Sequence, residues 1–396
     1  MKSAWHRLRH PMQTATSAKR LLQASWNNKR LRRWGDRHFK QDPRYDPTAV
    51  ERGFIDRAEL HGSDAILLKR ICRAYTASVA QEQFAPVIYK PTAWWDAQRS
   101  LYLGPVLRAL SLHDLETLQT MYRNFFRDDC STGLIPVQRM KNGYFSGAIN
   151  DNHCRLFLID ALYRLDYWKV QTMSSHSLRD LDGPTVGNPF GVMIEETLIR
   201  TGSEYQHYCA QRISRVLREG AAATVAEIGG GFGGMAYYLL RDRPRTTYIG
   251  FDVPESIALT SYYLVKAFPQ LNVVLYGEAE LTADTISQAD VVLMPIFTIA
   301  DLATETVDIS FSSHAMSDLS PEALAVYLKE IARVTQDHFF YIGNAASEKV
   351  VSDATRSLQR PFTLKDRRHS GWNRHVAPNA DHVESLYGFE AAAYDM

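Results

Sequence analysis

The chain of 396 residues is long enough for two or three domains, and its 45% hydrophobic content supplies a globular core. A net charge of +1 gives no overall reason to expect nucleic acid as a partner. The four cysteines form no CxxC pair, no apolar run reaches about 18 residues, and no apolar h-region opens the chain. A zinc knuckle, a disulfide scaffold, a membrane span and a secretory signal are therefore not expected, and a cytoplasmic location is.

Residues 1–45 read as a basic N-terminal arm, densest from Lys29 to Arg37, with Trp26, Leu31 and Trp34 interleaved. That mixture suits a peripheral contact with an anionic surface, at the inner face of the membrane or on a lipid-linked substrate. It equally suits a solvated arm. Residues 46–185 form a helical domain. Leu67, Leu68, Ile71 and Tyr75 fall on one helical face; so do Leu115, Leu118, Tyr122 and Phe126, and then Leu156, Ile159, Leu162 and Tyr163. Such stripes are core, and no chemistry is expected from this domain. Periodicity is lost over 170–202, where Gly183-Pro184 and Gly187-Asn188-Pro189 break the chain. Asn188 is a candidate substrate-binding residue there, and an interdomain linker is the competing reading. A further helix opens at Ser203.

From Thr224 the pattern turns to strands alternating with helices, which argues a parallel sheet covered on both faces. The strand 224–229 runs into five glycines in six positions, Gly229 to Gly234, and then a helix. A second strand ends at Asp252, followed by a helix from Pro254. Val273–Tyr276 and Val291–Pro295 compete for the third strand, and the second is preferred. Val307–Ser312 and His338–Ile342 follow, separated by a helix capped at Ser320. The tail has room for a closing hairpin.

The glycine turn fits two templates. Gly229-x-Gly231-x-x-Gly234 is a dinucleotide fingerprint. Glu227-x-Gly229-x-Gly231-x-Gly233 is the pattern of class I S-adenosyl-L-methionine-dependent methyltransferases. Asp252 suits either cofactor, since both present ribose hydroxyls to a carboxylate. Glu227, an acid inside the first strand, and a sheet that closes without a second mononucleotide half favour S-adenosylmethionine over NAD(P). Glu227, Gly229, Gly231, Gly233 and Asp252, with Met294 and Pro295 at the end of a neighbouring strand, form the expected cofactor set.

Glu227-Ile228-Gly229-Gly230-Gly231-Phe232-Gly233-Gly234, Phe251-Asp252-Val253-Pro254-Glu255 and Ser312-Ser313-His314-Ala315-Met316-Ser317-Asp318 together resemble the sugar O-methyltransferase family. The likeness covers about 185–345 and includes the Gly187-Asn188-Pro189 loop. It implies a Rossmann-like class I methyltransferase domain over 186–396. It also implies methylation of a hydroxyl on a carbohydrate: a surface polysaccharide, its lipid-linked precursor or a nucleotide sugar. His314 lies just past the fourth strand, where such sheets bind ligands, and its ordinary pKa suits a general base. Asp318 could orient it or act itself, and a structural histidine is the competing reading. Trp372 and His375, in a basic stretch, are candidates for binding the sugar; an exposed loop is the alternative. No constellation specifies a metal, and a divalent ion that lowers the hydroxyl pKa stays open. The rivals are an NAD(P)-dependent oxidoreductase and a non-catalytic cofactor-binding scaffold. The sequence carries no signal for oligomeric state.

Overall fold

The computed structural model describes residues 26–59, 62–135 and 150–389. Residues 26–38 are helical. Leu31 is buried, Arg32 donates to Asn152 at 3.1 Å, and Trp34 meets Tyr163 edge-on with centroids 6.1 Å apart. The densest part of the basic arm is thus a docked helix rather than a solvated segment, because Leu31 and Trp34 fall on one face, while Trp26 stays exposed. Arg30, Arg33 and Arg37 remain exposed on the other. The first residues of the arm, 1–25, lie outside the described set.

Helix Gly104–Leu112 lies among helices Ala65–Glu82, Leu115–Arg123 and Asp151–Gln171, which follow where the apolar stripes predict them. Asp114 and Asn150 cap the last two by accepting the N–H groups of Thr117 and His153. The segment 170–202 is not only loop. A 3-10 turn at Leu178–Leu181 precedes an antiparallel hairpin of β1 (Gly191–Ile194) and β2 (Thr197–Arg200).

The main sheet follows. Its strands are β3 (Ala223–Ile228), β4 (Thr246–Asp252), β5 (Val273–Leu275), β6 (Val291–Pro295), β7 (Val307–Ser313), β8 (Thr335–Asn344), β9 (Thr363–His369) and β10 (His382–Gly388). The eight strands lie in the order β5-β6-β4-β3-β7-β8-β10-β9. The first six pair in parallel, and β10 runs antiparallel to both β8 and β9. This is a Rossmann-like, doubly wound sheet closed by a hairpin. β6 pairs directly with β4, as preferred, and β5 adds beyond it at the edge.

The pleat sends alternate residues to two apolar layers. Val225 and Tyr248 face one; Ala226, Ile228, Ile249 and Phe251 face the other. The second layer is covered by helix Pro321–Val334 through Leu324, Leu328 and Ile331. The first layer is continuous with the N-terminal helices: Leu68, Tyr122, Phe125 and Leu158 share one cluster with Phe232, Tyr262 and Tyr263. Among the described residues, no helix is long and apolar enough to cross a membrane.

Candidate cofactor and acceptor site

The chain leaves β3 for β4 on one side and later returns to pair β7 on the other. The carboxyl ends of β3 and β7 therefore flank the topological switch, where doubly wound sheets bind ligands. A cavity of about 290 Å³ opens there. Its sheet wall includes Ile228, Gly229, Gly231, Phe251 and Asp252, and the loop after β7 adds Ser313, His314, Met316 and Asp318.

The glycines are dictated by backbone conformation, and at Gly229 also by crowding. Gly229 sits at φ 79°, and a Cβ there would overlap the Ala315 side chain. Gly231 sits at φ 60°, its Cβ position 3.5 Å from the Leu134 carbonyl, so chain lies directly above the turn. Both conformations belong to the left-handed region that glycine enters without penalty. Gly233 caps helix Gly234–Asp242 and packs toward Thr260 and Leu264, away from the cavity.

Asp252 ends β4. One carboxylate oxygen accepts the Gly231 N–H at 3.0 Å, and the other accepts the Val253 N–H at 2.7 Å. Burial outweighs these bonds and pushes its pKa up to about 7. Each oxygen retains a lone pair for a further donor. Glu227 lies beneath the turn rather than in the cavity lining. Its carboxylate is buried under Gly230 and accepts the Tyr248 hydroxyl at 2.6 Å, and burial pushes it to about 7. Any influence on a ligand passes through the turn. Met294 and Pro295 are buried at the end of β6, Pro295 in register with Asp252; the next residue, Ile296, reaches the cavity.

His314 lines the cavity with its backbone held at φ 63° by a bond from its N–H to the Ile342 carbonyl, 2.8 Å. The residue is exposed at the cleft, with protein crowding it from the side of His382. That desolvation, with repulsion from His382 at 5.1 Å, pushes its pKa down to about 4. His314 is thus neutral near pH 7, with a lone pair available. Asp318 lines the same cavity and is exposed.

Three candidates prove structural. Asn188 is 2% exposed, and protein groups occupy its amide: the oxygen accepts the Arg57 N–H at 2.9 Å and the nitrogen donates to Asn124 at 2.9 Å. It ties a turn to the helices and does not line the cavity. Trp372 is 3% exposed, packed among Tyr167, Tyr205 and Tyr208. The His375 side chain is buried, stacked on Tyr163 with centroids 3.9 Å apart and bonded to Asp160 at 2.6 Å. Neither is a sugar platform, and neither lies in an exposed loop. Their stretch is β9 and the turn after it, folded onto helix Asp151–Gln171.

The opposite wall of the cavity comes from the helical region, which was expected to carry no chemistry. Tyr89, Lys90, Pro91, Thr92, Trp94 and Trp95 line it, with Gly133 and Leu134 above the turn. Thr92 caps the short helix Ala93–Gln98. The Trp95 indole N–H donates to Glu255 at 2.6 Å, and Arg99 grips both oxygens of that carboxylate at 2.5 and 2.9 Å. Glu255 is 5% exposed and opens helix Pro254–Ala267, three residues after Asp252. Tyr89 packs on Tyr327 with centroids 5.5 Å apart.

No family model matches the chain, and no curated protein matches it. Among solved structures it is similar to PhzM, a pyocyanin biosynthetic protein, at 11% identity and a TM-score of 0.33, over 48% of this chain and 56% of that one. It is similar to an S-adenosylmethionine-dependent methyltransferase from Aquifex aeolicus at 15% identity and a TM-score of 0.33, over 48% of this chain and 93% of that one. A third similar structure is magnesium protoporphyrin IX methyltransferase (ChlM) from Synechocystis PCC 6803 with bound cofactor, at 10% identity and a TM-score of 0.35. It covers 58% of this chain and 97% of that one.

Proposed function

We propose that this chain is an S-adenosylmethionine-dependent O-methyltransferase acting on a sugar hydroxyl of a surface polysaccharide, its lipid-linked precursor or a nucleotide sugar. The observation that carries the reading is the Gly229–Gly231 turn bonded to Asp252 at the switch point, under a cavity. The residues present fit the cofactor: the turn lacks the side chains that would fill the cradle, and Asp252 keeps acceptor capacity for ribose hydroxyls. Ile296 and Phe251 would add apolar contact. When bound, the cofactor supplies an electrophilic methyl group on a sulfonium. The chain's own part is to align the acceptor oxygen, exclude water and receive a proton. His314, neutral near pH 7, can accept a hydrogen bond from the acceptor hydroxyl, and its low basicity leaves Asp318 as a second proton acceptor on the same wall. The carbohydrate part of the reading rests on the sequence resemblance.

Equilibrium titration of the full chain tests the cofactor. Micromolar binding of S-adenosylhomocysteine without NAD(P) binding is expected, and Asp252→Ala should abolish it. NAD(P) binding in its place would make the chain an oxidoreductase. Mass spectrometry of surface glycans with and without the gene, looking for one methyl group, tests the acceptor.

A further inference from the structure

The cavity has two unlike walls. The sheet wall holds the glycine turn and Asp252. The opposite wall, residues 87–95, is a cap whose footing is set by long-range contacts: Tyr89 on Tyr327, and Trp95 with Arg99 on Glu255. Within that cap Trp94 lines the cavity yet is 50% exposed, although its neighbour Trp95 is engaged. An indole left open beside a cavity has apolar surface for a ligand to cover. The cavity's polar lining includes Lys90 and Asp318, of opposite sign, and neutral His314; the Lys90 amine donates to the Gln83 carbonyl at 3.3 Å and keeps two further N–H groups. A purely apolar ligand would desolvate those groups without satisfying them, and a polyanion would meet Asp318. A neutral ring with one apolar face and many hydroxyls satisfies both demands.

We infer that the cap 87–95 forms the acceptor subsite, with a carbohydrate ring stacked on Trp94 and its hydroxyls directed to Lys90 and Asp318. The inference rests on the methyltransferase reading and names where its acceptor binds. Trp94 is half exposed and meets Trp95 with centroids 5.8 Å apart, so the test of its removal includes a check that the cofactor site stays folded.

The test is saturation-transfer NMR on the full chain loaded with S-adenosylhomocysteine, using methyl glycosides of hexoses and deoxyhexoses as probes. Calorimetry of S-adenosylhomocysteine runs alongside. Wild type should saturate at least one glycoside. Trp94→Ala should weaken that signal roughly five-fold or more, about the worth of one aromatic contact, and leave cofactor-product affinity unchanged. Trp94→Phe should restore most of it. Bound S-adenosylhomocysteine with no glycoside signal would overturn the carbohydrate assignment. An undiminished signal in Trp94→Ala would overturn the placement on the cap. Failure of wild type to bind S-adenosylhomocysteine would remove the underlying function and this subsite with it.

Discussion

Asp252 combines two demands that conflict. Its bonds to the Gly231 and Val253 N–H groups favour the carboxylate, and burial favours the acid; burial wins and places its pKa at about 7. An unfolded aspartate ionises near pH 4. Between about pH 4 and 7 the unfolded chain has lost this proton and the folded chain keeps it, so the contribution of Asp252 to stability falls as pH rises. It is fully present below the unfolded pKa. Ribose recognition needs the ionised form, so affinity for S-adenosylhomocysteine should rise with pH through about 7. Asp252→Asn should bind weakly and without that pH dependence. In thermal melts without ligand, the variant should improve relative to wild type as pH rises. A wild-type affinity that is flat from about pH 6 to 8, a unit either side of neutrality, would contradict the assignment.

At this scale the sequence was informative where backbone geometry dictates the residue. The glycines at 229 and 231 mark left-handed positions under close chain, and the acid at 252 ends a strand. It was uninformative where burial decides. Asn188 between breakers, and Trp372 and His375 among basic residues, carry the composition of an exposed loop. Only the folded chain brings Arg57, Asn124, Asp160 and Tyr163 against them.

At the scale of elements, the decisive piece is the cap. Glu255 is nearly buried and answers the Trp95 indole and both arms of Arg99. Removing Glu255 leaves the Trp95 indole unpaired and Arg99 with its longer pairs to Glu82 and Asp96, at 3.5 and 3.9 Å, at a cost of about 2 kcal/mol. Glu255→Ala should lower the unfolding free energy obtained from urea titration by an amount near that value, and limited proteolysis should then cut within 87–99. A loss of unfolding free energy under about 0.5 kcal/mol, the range of an ordinary surface change, would show the contact to be idle. The cap escaped sequence reading because its partner lies 160 residues away and nothing local records the pairing. The hairpin of β1 and β2 escaped for another reason. Its turn places Glu195 and Glu196 at φ 48° and 62°, where Asn-Gly is the usual signal. The sheet strands were legible because strands buried on both faces read as apolar runs.

For the whole molecule, the shared apolar cluster matters most. Leu68, Tyr122 and Phe125 pack in the same body as Phe232, Tyr262 and Tyr263, with Phe125 and Phe232 centroids 5.6 Å apart. A fragment limited to residues 186–396 would expose that surface. It should fail to give a monodisperse, cooperatively melting protein, and the full chain should unfold in one transition. A soluble fragment with a sharp melt would show instead that the sheet is an independent unit.

The nearness of Asp252, at the end of β4, to Glu255, at the start of the next helix, has a consequence for how such a chain can diversify. Glu255, which foots the cap, and Asp252, the proposed ribose acid, are three positions apart, so they travel together when segments of the chain are exchanged. A cap grafted from another protein would work here only if it brought an indole and a guanidinium to meet Glu255. New acceptors are therefore reached most directly by varying Trp94 and its neighbours on a fixed footing, and the cofactor cradle can stay as it is.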